Sequence, residues 1–246
     1  MELGLEEVAL FHVAQLAWLA GLLIPQAMRA ALLPVLGASR DDEGLFNGHL
    51  NRVESIAFGL VPIGLVSGAA IVAFLLPIAF PSEYFDGSLG ASAQDIFMLL
   101  LAGWALTVLS VPSYTALQAG TQPWRFTGLI ALVVIMATLI GWFLISWGAD
   151  KDAGTALEMA AYASVASTFI MLFAGIGLSK RWNEFKSKGL QWILTIGLIF
   201  MTCFALSERS MWALSGLPLF ILLPQALGAM QTTVDPQLPE KISEAE

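Results

Sequence analysis

Long apolar runs alternate with short clusters of glycine, proline and charged residues along the whole chain. The runs cover residues 8–36, 56–80, 96–119, 126–147, 156–178, 190–206 and 211–230. Each reaches or nearly reaches the ~17–25 residues that a helix needs to cross a bilayer. The pattern predicts an all-α fold, a polytopic transmembrane bundle of about seven helices over residues 1–230. Only Ser207-Glu208-Arg209-Ser210 separates the last two runs, so they read either as two spans or as a hairpin that re-enters the membrane. Residues 231–246 hold Pro236, Pro239 and several charges without periodicity, which predicts a disordered tail.

Composition makes lipid the solvent. Apolar residues are 57% of the 246 and charged residues 12%, with a mean hydropathy of +0.77. A water-soluble domain carries about twice that charge. The single cysteine, Cys203, lies within an apolar run and excludes an internal disulfide or a cysteine-built metal site. The net charge of -8 comes largely from acidic ends and loops and does not set topology. The start of the chain, with Glu2, Glu6 and Glu7, is acidic where a signal peptide is basic, so the first helix is expected to remain in the mature protein.

Basic residues alternate from loop to loop. The first loop region holds Arg40 and Arg52, the third Arg125, the fifth Lys180, Arg181, Lys186 and Lys188, and the tail Lys241. The other set has only Lys151 and Arg209, and residues 81–95 have none. By the positive-inside rule the odd loops and the tail are expected in the cytoplasm and the N-terminus outside. An outside start without a signal peptide suggests that a preceding helix is missing or supplied by a partner chain.

Ionisable groups inside such runs cost at least ~2.5–3.5 kcal/mol each and need a reason. The first run holds His12, Gln15, Gln26 and Arg29, which fall within roughly a 100° arc of one helix face at ~100° per residue. Such a stripe either faces a bundle interior or cavity, or is a pair of interfacial residues with Arg29 snorkelling; Pro25 would rotate its lower half. Glu54 reads as an interfacial anchor at the mouth of the second helix, near His49 and Arg52. Arg125, after Gln122-Pro123-Trp124, reads equally as a topogenic anchor beside an interfacial tryptophan or as a substrate contact. The basic stretch 180–188 is a topogenic anchor able to touch anionic lipid head groups. The sequence contains no phosphate loop, zinc helix, nucleophile elbow or nucleic-acid patch. Neither an enzyme nor a cofactor is expected.

Several strings carry a resemblance. Gln15-Leu16-Ala17-Trp18, Leu22-Leu23-Ile24-Pro25 and Leu32-Leu33-Pro34-Val35-Leu36 are followed by the charged loop Ser39-Arg40-Asp41-Asp42-Glu43 and then Arg52. Leu60-Val61-Pro62-Ile63-Gly64, the exit Phe80-Pro81-Ser82-Glu83-Tyr84, the segment from Val111-Pro112 to Ala119-Gly120-Thr121 and the basic exit Lys180-Arg181-Trp182 come next in order. Over residues 8–182 this order resembles the C-terminal lobe of polysaccharide flippases (O-antigen, Wzx-type) of the multidrug/oligosaccharidyl-lipid/polysaccharide exporter superfamily. The resemblance implies one lobe of a two-lobe flippase that exports a lipid-linked glycan by alternating access, in the lipid bilayer of the cytoplasmic membrane. It implies either a fragment or truncated product of a flippase, or a half-transporter with a complementary half-transporter chain as partner, since the family has two lobes and this chain has one without its first helix. It also implies that Arg29 and Arg52 meet the pyrophosphate; Gln26, His12 and Gln15, from the polar stripe, and Arg125, from its place before the fourth helix, are candidates along the substrate path. A non-transporting subunit of a glycan-assembly complex is the alternative. An ion-coupled exporter would need an acid in mid-membrane, and Glu54 and Glu158 lie near the ends of their runs.

Overall fold

The computed structural model describes residues 5–88 and 90–207, and among them the chain is helix and short connection only. Helices α1 (Leu5–Gly21) and α2 (Leu23–Ala38) form one apolar stretch broken at Leu22. Helix α3 (Glu43–Ala70) runs through a π-helical turn (Ile71–Leu75) into α4 (Leu76–Ala79). A 3-10 turn (Ser82–Tyr84) then leads to α5 (Ala93–Ala119), α6 (Trp124–Ala149), α7 (Ala153–Leu178), the short α8 (Trp182–Ser187) and α9 (Gly189–Ser207). Five stretches among the described residues, Val8–Ala38 and helices α3, α5, α6 and α7, are long and apolar enough to cross a membrane. The protein is a helical membrane bundle. The sixth predicted run is helix α9, while the seventh and the tail lie outside the described residues.

Polar caps set the helix starts. The carboxylate of Asp42 accepts the Leu45 amide at 2.9 Å and starts α3 well before the apolar run at Ile56. The extra turns hold Asn47, His49, Asn51 and Arg52, so a search for unbroken apolar residues passes over them. Ser92 caps α5 and Asp152 caps α7. Asp152 accepts both the amide and the hydroxyl of Thr155 at 2.7 Å, and these bonds hold its carboxyl below the usual carboxylate range.

Helix α5 is the axis of the bundle, packed against α1, α2, α3, α7 and α9, while α6 lies outside against α7. The break at Leu22 has an identifiable cause. Proline has no N–H, so Pro25 leaves the Gly21 carbonyl without its helical donor. The indole N–H of Trp104 on α5 donates to that carbonyl at 2.8 Å. The same indole fills a notch at Gly64 of α3, where an added Cβ would lie 1.9 Å from its ring. One tryptophan thus ties the broken first span to both α3 and α5. Further along, Pro77 removes the donor to the carbonyl four residues back, inside the π turn.

Candidate functional site

The loops after α2, α5 and α7 meet at one end of the bundle. Arg40 Nη2 donates to the Gly120 carbonyl at 2.8 Å, and Arg125 Nη1 to the Leu178 carbonyl at 3.2 Å. Both bonds satisfy carbonyls at helix C-termini, which have no partner within their own helix. At the opposite end Gly154 passes against the backbone of Gly90, where an added Cβ would lie 2.1 Å from the Gly90 carbonyl oxygen. The basic loops that alternate in sequence therefore share one end in space.

The predicted path residues separate into two groups. His12 and Gln26 are uncovered, Gln15 is half-buried, and the break at Leu22 falls between the upper and lower pairs. Arg29 is half-buried against α5 and α6. Its Nε donates to Gln118 Oε1 at 3.0 Å, and its guanidinium carbon lies 5.9 Å from the ring centres of both Tyr114 and Phe126. All three partners are neutral, and among the described residues no carboxylate pairs with Arg29. Arg52 lies elsewhere, uncovered beside His49 and Met28 on a groove of about 250 Å3 between α2 and α3. The two arginines that the resemblance assigns to one head group thus engage different neighbours. Arg125 stacks over Trp124 at 5.7 Å while bonding Leu178, the geometry of an anchor that also ties α6 to the end of α7.

The strongest polar cluster is one that sequence reading split apart. Arg181 is buried, and its Nη2 donates to Glu54 Oε2 at 2.7 Å and to Asn51 Oδ1 at 3.0 Å. Its Nε donates to Glu184 Oε2 at 2.7 Å, and Lys188 Nζ approaches Glu54 Oε1 at 3.5 Å. Phe185 and Trp192, with ring centres 5.3 Å apart, cover the group. Glu54 is therefore not an interfacial anchor: its side chain is 4% exposed, and it clamps α3 to the turn between α7 and α8. Two carboxylates face two cations, and the space left among them is only about 10 Å3, too small for a ligand. The cluster closes the bundle rather than serving a substrate. Its only signal in sequence is an acid and an arginine of opposite sign in two loops predicted to share a side.

Among the described residues no group of three His, Cys, Asp or Glu side chains is placed to hold a metal. Comparison with protein families, with curated proteins and with solved structures finds no match to this chain. Three polar features stand out among the described residues. They are a neutral-partnered guanidinium within a span, a sealed ion cluster and a basic rim.

Proposed function

We propose that this chain is one lobe of a flippase, moving a lipid-linked oligosaccharide or polysaccharide precursor across the cytoplasmic membrane by alternating access with a complementary half-transporter chain. The observation that carries the reading is Arg29. A guanidinium within an apolar span, held by an amide and two aromatic rings, keeps its charge available for an anion. Guanidinium suits a pyrophosphate because it stays charged and binds bidentately. Arg29 lies one turn below the Pro25 break, and discontinuous spans of this kind frame substrate sites in many transporters. The basic end is cytoplasmic in this reading, by the positive-inside rule. Arg29→Ala and Arg52→Ala are each expected to abolish surface polysaccharide in a complementation assay at unchanged protein level. Normal polysaccharide in both variants would remove the assignment.

The uncovered apolar face of α6 favours a second reading, a non-transporting subunit that docks a partner in a glycan-assembly complex. A stable complex that moves no lipid-linked glycan in liposomes would select it.

A further inference from the structure

At the basic end, a polar cavity of about 260 Å3 opens between the ends of α5, α6 and α7 beside α3. Its wall carries Arg125, Lys180 and Arg181 with the neutral side chains of Asn47, Thr121 and Gln122, and no carboxylate lines it. Arg181 is balanced on its far side by Glu54 and Glu184. Arg125 and Lys180 are not balanced: among the described residues neither pairs with a carboxylate. Arg125 is held by its bond to the Leu178 carbonyl, which uses one of the five N–H donors of a guanidinium. The cavity also borders the N-terminal end of α6, the positive end of a 26-residue helix.

Lys180 supplies an independent observation. Its φ is 60°, the left-handed region, and it is the only non-glycine residue with positive φ among those described. It ends α7 through two bonds, its own amide to the Gly177 carbonyl and the Arg181 amide to the Ile176 carbonyl, both at 3.1 Å. Glycine is the usual residue at this position because it adopts the conformation without strain. A lysine here adds nothing to the cap and strains the backbone. Strain retained where glycine would serve better points to a use for the side chain, and that side chain lines the cavity.

We propose that this cavity binds a phosphate ester, with Arg125 and Lys180 as the cations that hold it. The phosphate can come from the head group of an anionic phospholipid at the membrane surface or from an ester dissolved in water. The inference is argued from the cavity and the Lys180 turn and not from the transport reading, with which it shares Arg125 alone; Arg29 and Arg52, which carry that reading, do not line the cavity.

The full chain in nanodiscs tests it. Inorganic phosphate is titrated against protein in phosphatidylcholine discs, and retained lipid is identified by native mass spectrometry from discs that also contain phosphatidic acid. Lys180→Gly and Arg125→Gln are each expected to weaken phosphate binding, or phosphatidic acid retention, by about tenfold or more. Lys180→Gly should unfold no more easily than the wild type, because it relieves the strained turn. Binding of inorganic phosphate supports the proposal with a water-borne source, and retention of phosphatidic acid alone supports it with the lipid source. The proposal is overturned if neither ligand is preferred over phosphatidylcholine. It is equally overturned if both variants bind as the wild type does, because the basic residues then serve only to cap helix ends.

Discussion

Helices α5 and α6 are neighbours in sequence, nearly equal in length, and each carries one charge, near its start. Helix α6 is the more apolar, yet only 6% of its most apolar stretch is buried, against 89% for α5. In water the greasier helix would go inside. In lipid an apolar side chain gains nothing by leaving the acyl chains, so packing is decided by how closely backbones can approach. The middle of α5 offers Ala102, Gly103, Ala105, Ser110, Ser113 and Ala116, all buried. The middle of α6 offers Ile130, Leu132, Val134, Ile135, Leu139 and Phe143, all exposed. Apolarity does not sort the two helices; α5 is packed against five others, and α6 mainly against α7.

The comparison breaks most visibly where α3 meets α5. Gly64→Ala places a methyl group where the Trp104 ring already lies, 1.9 Å from its nearest atom, and Trp104 is buried and tied by its N–H. The expected cost is about 3 kcal/mol or more, at the upper end for overpacking, read as the shift in unfolding by SDS titration in mixed micelles. A variant as stable as the wild type would mean that α3 and α5 do not approach this closely. Trp104→Phe is the milder cut. It keeps a ring in the notch and removes the donor to the Gly21 carbonyl, at about 1 kcal/mol or somewhat more for a half-buried acceptor left alone. Pro25→Ala should recover part of that loss in the Trp104→Phe background, because residue 25 then regains an N–H four residues after Gly21. Additive effects of the two substitutions would disconnect the tryptophan from the proline break.

These devices also mark how far the sequence could be read. The spans were legible because bilayer thickness fixes their length: the first five predicted runs fall on stretches long and apolar enough to cross a membrane, and the sixth falls on α9. The gathering of basic loops at one end was legible from their alternation. Pro25 announced a break, but its partner Trp104 did not, because nothing local ties a tryptophan on α5 to a carbonyl on α1. The start of α3 at Glu43 was hidden by its polar first turns. The pairing of Glu54 with Arg181 was hidden by their separation of 127 positions along the chain. Lys180 looked like one more charge in a basic loop; its left-handed backbone is a property of the turn that closes α7, invisible to a count of charges. Arg29 and Arg52 were linked by resemblance, and the bundle sends them to different neighbours.

The smallest effect sharpens the comparison most. Leu139 on α6 is 56% exposed, with no core around it. Leu139→Ala should change stability by no more than about 0.5 kcal/mol in the same SDS titration, as for surface positions away from special features. The reason is particular to lipid. When a buried leucine is cut back, the surrounding protein collapses only partly and a cavity remains, whereas acyl chains around α6 can flow into the space left by Leu139. A loss above about 1 kcal/mol would mean that side chains rather than acyl chains cover this face. The uncovered side of α6 would then be the seat of another chain, and its bulky residues would owe their size to an interface.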